Sequence, residues 1–472
     1  MHNSKLYSIL HYFDKYEQNR LRKYLCSPYF NKNKILIELY NFLIDHINAK
    51  THGELNKEAI WKMLYGREKY DDVRYRKHCS DLLKLIEGYL AQQIYDENPL
   101  HQATYLLQAV GRKKTEKLYN STVKTARRLS NQQLHRSANY YYYQYQIERN
   151  YYELSELEHN RTSKRNVEEI LNNLDRFFLA EKLRYYCSVL SQQFVTSHEY
   201  KVLFIDEIIS HIEKYQYEDV PPIAIYYQIY LTHVDTDNPD HYFKLKRLLE
   251  KYGDLLPLHE AEEVYQSALN YCIRKINQGN TQFLQEYFDL YVVLLEKSLL
   301  LTDGELSPWH FRNIVVAALR LGKYDWTKNF IRDYQTVLPE AFRENAVSFN
   351  LAQLYFYQKK YKKVIELLQT VEYEDFSYNL NSKAFLLMTY YETDEIEPLY
   401  SLLESFRVYL NRHKDIPVNR RKSFLNFIKF VKKLTKIMPG DKKSIQKLKE
   451  EIEADKNIAS LKWLKEKIAE LE

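Results

Sequence analysis

The chain has 472 residues, with only 9 Gly and 11 Pro, 45 Tyr and a formal net charge of +6. That length holds two to four compact domains or one elongated array, and so mild a charge by itself points to neither nucleic acid nor membrane. No Gly occurs between Gly111 and Gly253, and aliphatic residues recur every three or four positions, which argues for helices over sheets.

The opening MHNSKLYSILHYFDKYEQ lacks the apolar core of a secretion signal. The four cysteines (Cys26, Cys79, Cys187 and Cys272) form no paired spacing, so a reducing, cytoplasmic setting is expected. The richest apolar run, YVVLLEKSLLL at 291–301, is too short to span a membrane and carries Glu296 and Lys297. A soluble, all-α protein is the expectation.

Residues 1–130 read as an N-terminal helical region. Pro28, Gly53 and Gly66 fall where helices end, Asp71-Asp72 can cap the long run from Val73, and Asn98-Pro99 closes it. Gly88 lies inside that run, where it costs roughly 1 kcal/mol against Ala, and a close helix crossing is the expected reason. Residues 131–306 read as further helical hairpins. Within NYYYYQYQIERNYYELSEL, Tyr140, Tyr143, Ile147, Tyr151 and Leu154 form one stripe and Tyr141, Tyr145 and Tyr152 a second. Two stripes mean two neighbours, with the alternative that exposed tyrosines stack on nucleic-acid bases. A further hairpin is expected to turn at Gly279-Asn280.

Residues 307–410 carry a repeat. In FNLAQLYFYQKKYKKVIELLQTV, Leu351, Ala352, Tyr355, Tyr361, Val364, Leu368 and Val371 follow a pattern that returns, degenerate, as Phe311, Ile314, Ala318, Tyr324 and Ile331 and again as Leu386, Leu387, Tyr390, Ile396 and Leu403. Tyr324, Tyr361 and Ile396 are spaced 37 and 35 apart, against about 34 for the tetratricopeptide repeat, and the stretch resembles that family. The resemblance implies an α-α superhelix of stacked hairpins with a concave groove lined by first helices. It implies further that Arg312, Asn313, Arg320, Phe349, Asn350, Gln353, Tyr357 and Phe385, with Glu392 beyond them, face that groove. A protein or peptide partner is expected there, with Asn313 and Asn350 in equivalent places.

Residues 411–472 read as basic capping helices. Between 411 and 449 there are 13 Lys or Arg against Asp415 and Asp441, a balance of +11 that leaves about −5 for the rest. Phe424, Phe427, Ile428, Val431, Leu434 and Met438 form an apolar stripe, with Lys422, Lys429, Lys433 and Lys436 opposite. Ile458, Leu461, Leu464, Ile468 and Leu471 form another on the last helix. Arrays need polar-faced caps at their ends. The alternative is an anion-binding face for nucleic acid built from Arg420, Arg421, Lys429, Lys433 and Lys436. A membrane-surface role is disfavoured because the stripe is needed for packing.

Paired metal-ligand spacings, phosphate-binding glycine loops and nucleophile elbows are absent from the sequence. The histidines never come closer than six residues. The expected function is therefore a non-enzymatic scaffold that needs no metal or cofactor, with nucleic-acid binding as the rival.

Overall fold

A computed structural model describes residues 4–49, 56–113, 115–155, 166–193, 200–369, 376–455 and 457–472. Gly53 and Val371 lie outside them, as does the side chain of Leu154. The protein is all-α, built from successive helical hairpins, and a two-residue β-hairpin is its strand content among the described residues. The chain divides into two compact units, residues 1–186 with 201–224 and residues 187–200 with 225–472. This cuts the segment 131–306, which the sequence reads as one, because the long helix that begins at Val167 contributes to both units.

The first unit contains α1 (Lys5–Tyr12), α2 (Lys15–Cys26), α3 (Lys34–Asn48), α4 (Lys57–Tyr65) and α5 (Asp72–Asp96) around one apolar core. It continues with α6 (Pro99–Lys113), α7 (Glu116–Asn131), α8 (Ala138–Ser155), the larger part of α9 (Val167–Gln193) and α10 (Ile205–Tyr215). Asp14 and Glu17 form a reciprocal capping box on α2. Asp71 Oδ1 accepts from the Val73 and Arg74 amides to start α5. A Cβ at Gly88 would sit 3.0 Å from the Tyr24 hydroxyl of α2 and meet no other atom outside its own helix within 4 Å, so the glycine makes room for the end of one side chain rather than for a neighbouring backbone.

Helices α6, α7 and α8 pack mutually. The two tyrosine stripes of α8 meet two different neighbours. Tyr143 shares its hydroxyl with His101 Nδ1 at 2.9 Å and Asn98 Nδ2 at 3.2 Å on the α6 side. Tyr141 is buried under the Arg176 guanidinium of α9, 5.8 Å from its ring.

The chain then forms α11 (Pro221–Val234), α12 (Asp240–Tyr252), α13 (Leu258–Asn277) and α14 (Gln282–Glu296). After them come α15 (Pro308–Arg320), α16 (Tyr324–Tyr334), α17 (Glu340–Tyr357), α18 (Tyr361–Gln369), α19 (Phe376–Glu392) and α20 (Ile396–Arg412). The last helices are α21 (Val418–Leu434), α22 (Lys442–Ala454) and α23 (Leu461–Glu470). From α13 onward they stack as hairpins: each first helix packs on its own second helix, and α15, α17 and α19 pack side by side.

Four hairpin turns in this unit share one geometry. Gly279, Gly322, Lys359 and Asp394 each have positive φ, between 52° and 93°. In each the next residue's amide bonds back five residues, as in Lys323 N to Ala318 O, Lys360 N to Tyr355 O and Glu395 N to Tyr390 O, at 2.8–3.0 Å. This is the Schellman closure of a helix C-terminus, used here to reverse the chain. Between α14 and α15, Leu301–Thr302 pairs with Glu305–Leu306 across Asp303 and Gly304, both at positive φ. An Asp-Gly pair favours that turn.

The basic segment packs as a cap on the stack. Phe424 of α21 lies 5.8 Å from Phe406 of α20, and Phe427 lies 6.1 Å from Trp463 of α23. The predicted stripe is buried except for Met438, which is 76% exposed. Met438 falls beyond the last turn of α21, where the helical phase no longer applies.

Candidate functional site

The first helices α15, α17 and α19 carry the predicted groove residues, and their faces differ. On α15, Trp309, Arg312, Asn313, Val316 and Arg320 recur at helical spacing and are half-buried or exposed. The Arg312 guanidinium lies 5.9 Å from the Trp309 ring and 5.8 Å from Phe349. Asn313 Nδ2 donates to the Tyr291 hydroxyl at 3.4 Å. This face is partly open, with Trp309 and Arg320 exposed at its two ends.

The face of α17 is closed. Phe349 and Asn350 are fully buried and Gln353 is nearly so. Phe349 meets Tyr378 at 5.3 Å and Phe385 at 5.9 Å, and Phe356 meets Phe385 at 5.3 Å, all edge to face. The Tyr378 hydroxyl reaches over to donate to the Pro308 carbonyl at 3.2 Å, tying the start of α19 to the start of α15. Expectation and structure therefore differ for Phe349, Asn350 and Gln353, while Phe385 is half-buried. Aromatic rings fill this side of α17, where an open groove would need small or polar residues. Asn350 spends its amide internally, Nδ2 donating to Ala346 O at 2.7 Å and Oδ1 accepting from Gln353 Nε2 at 3.3 Å. Asn313 and Asn350, equivalent in the repeat, are not equivalent in exposure.

Tyr357, at the end of α17, is 38% exposed. Burial of the rest of the ring pushes its phenol pKa up, Arg320 pulls it down and Glu466 raises it. Arg320, Tyr357 and Glu466 of α23 are thus neighbours at the open end of α15.

Glu392, expected to face the groove, has both carboxylate oxygens engaged within the chain. Its Oε1 accepts from Trp463 Nε1 at 2.8 Å and its Oε2 from Lys467 Nζ at 2.9 Å, so α23 folds back onto the end of α19. Sequence reasoning placed α23 in a cap and missed this partner. The buried Lys467 in an otherwise apolar stripe was the available signal, since a buried cation needs a carboxylate.

On the basic face, Lys433 pairs with Glu451 of α22 and Lys432 with Glu404 of α20. Lys433 is therefore neutralised, in contrast to the expectation, because α22 brings its acidic side against α21. Arg420 and Arg421 are half-buried. Lys422, Lys429 and Lys436 are exposed and make no ion pair among the described residues.

One Ser–His contact bears on chemistry. Ser191 Oγ lies 3.3 Å from His233 Nε2, and Arg274 Nη1 lies 3.3 Å from His233 Nδ1. Arginine only donates, so Nδ1 is the acceptor, Nε2 bears the proton and the ring cannot take one from Ser191. Burial, then Arg274, pushes the His233 pKa down to about 4. No group of three or more His, Cys, Asp or Glu with metal-binding geometry occurs among the described residues, and no helix among them is long and apolar enough to cross a membrane. Compared with known proteins, the chain matches no family model, no curated protein and no solved structure.

Proposed function

We propose that the chain is a non-enzymatic interaction scaffold of the tetratricopeptide-like kind, working in the cytoplasm, that docks a protein or peptide on the open face of α15. The observation that carries this reading is the row Trp309, Arg312, Asn313 and Arg320, continued by Tyr357. Large aromatics and arginines are the residues that dominate interface energies, and here Trp309, Arg320 and Tyr357 are exposed, with Arg312 half-buried between them, beside a neighbouring face that is packed shut. The polarity of His233 supports a binding role over acyl transfer at Ser191. Buried free thiols at Cys187 and Cys272 fit a reducing compartment.

The test is affinity purification from the source cell with the wild-type chain and a Trp309→Ala/Arg320→Glu variant. A specific partner held by the wild type and lost by the variant is expected, with stability changed by about 0.5 kcal/mol or less, as at other exposed positions. A partner retained by the variant refutes the α15 face as the site.

A second reading, nucleic-acid binding, draws on Lys422, Lys429 and Lys436. It is the weaker because Lys432 and Lys433 are already paired.

A further inference from the structure

A cavity of about 400 Å³ opens in the first compact unit, between α6 and α8. Gln108 and Arg112 stand one turn apart on α6, and Gln146 and Asn150 one turn apart on α8, so two short polar ladders face each other across it. At its rim Arg149 Nε donates to Glu153 Oε1 at 2.9 Å, which neutralises both.

Several of these groups lack protein partners. Asn150 is only 7% exposed. Its Nδ2 donates to the Gln146 carbonyl at 2.7 Å, while its Oδ1 accepts nothing among the described residues. The side chains of Gln108, Gln146 and Arg112 likewise make no hydrogen bond or ion pair among them. A guanidinium is always charged and carries five donors, and each carboxamide offers donors and an acceptor together. Among the described residues the cavity therefore presents one unpaired positive charge, on the exposed Arg112 at its edge, and three amides, of which Asn150 is the buried one. Its volume lies in the range of small-ligand sites, about 300–1,000 Å³, but its lining is far more polar than is usual for them.

We propose that this cavity binds a small hydroxylated organic anion. Arg112 engages the carboxylate or phosphate, since a planar fork matches both. Gln108, Gln146 and Asn150 pair with hydroxyls, which donate and accept at once as carboxamides do. The inference is independent of partner docking on α15, which belongs to the other compact unit.

The experiment is isothermal titration of the full chain at fixed ionic strength with gluconate, glucose 6-phosphate, glucose and inorganic phosphate. Saturable binding of gluconate or glucose 6-phosphate is expected, with glucose and inorganic phosphate at least tenfold weaker. The two anions distinguish a carboxylate from a phosphate ligand. Arg112→Gln and, separately, Gln146→Ala should each weaken binding about tenfold, which corresponds to about 1.4 kcal/mol, with the melting temperature unchanged. The proposal is overturned by no saturable binding of either anion, or by binding that survives both substitutions. It is also overturned if an acetylated, amidated hexaglutamate peptide binds where neither small anion does.

Discussion

Trp463 Nε1 donates to Glu392 Oε1 at 2.8 Å across 71 residues of chain. The same carboxylate holds the nearly buried Lys467, which also reaches Glu470. Glu392→Ala removes the acceptor from an indole and a cation together. A loss of about 2 kcal/mol is expected, the range for hydrogen bonds to charged groups, with faster amide exchange in α23. Glu392→Gln keeps an acceptor for Trp463 and should cost less. Unchanged α23 protection in the alanine variant would show that apolar packing alone holds the helix.

The two asparagines of the repeat should part company. Asn350→Ala leaves the buried Gln353 amide without its acceptor and is expected to cost about 1–3 kcal/mol. Asn313→Ala gives up one long bond on a partly open face and should stay near 0.5 kcal/mol. Urea denaturation of both variants decides this, and equal losses would contradict the burial difference.

The turn at Lys359 holds a side chain at φ 58°, a conformation that disfavours L-residues by about 1–2 kcal/mol. Lys359 is exposed, so Lys359→Gly relieves the strain and gives up little packing. A gain of about 0.5–1 kcal/mol is expected after the extra unfolded-state entropy of glycine. Asp394→Gly should gain less, because Asp tolerates the left-handed region better. A destabilised Lys359→Gly variant would mean that the turn is not strained.

His233 gives the second unit a pH dependence. Its pKa falls from 6.5 in the unfolded chain to about 4 in the folded one, so between these values the unfolded state binds more protons. Stability is then fully present above pH 6.5, declines as pH drops toward 4, and levels off below. The total is on the order of 3 kcal/mol for one such group. His233→Gln should flatten this part of the profile in urea melts at pH 7.0 and 4.5. A profile unchanged by the substitution would assign the acid sensitivity elsewhere.

If nucleic acid binds the cap, Lys422, Lys429 and Lys436 are the phosphate contacts. Replacing all three by Gln should weaken binding of a labelled single-stranded oligonucleotide and lower the salt slope by about 2, at roughly 0.7 per contact. Point changes are preferable to removing residues 411–472, which would strip Trp463 and Lys467 from Glu392. Oligonucleotide binding indifferent to all three lysines would exclude this face.

Helix existence, the cap at Asp71 and the double-sided tyrosine helix were all legible, because each follows from local periodicity or capping chemistry. The hairpin spacing at Tyr324, Tyr361 and Ile396 was legible too. Which side of a first helix stays open was not. Phase puts Asn313 and Asn350 on the same face, and nothing in the sequence shows that Asn350 is fully buried beside a Phe349 covered by Tyr378 and Phe385 of a different helix. The β-hairpin at Asp303-Gly304 was missed although the dipeptide announces it. Strands of two residues are too short to show the alternation by which a strand is recognised.

Stacked hairpins ordinarily communicate only with their neighbours, and such arrays fold and fray piecemeal. Three contacts depart from that rule in two places: Tyr378 to Pro308 spans 70 residues, and Trp463 and Lys467 to Glu392 span 71 and 75. Each closes a loop over about two hairpins, and together they bracket the stretch from α15 to α23. That bracketing should convert a row of independently melting pairs into a single cooperative block, with slower folding as the consequence of its longer-range closures.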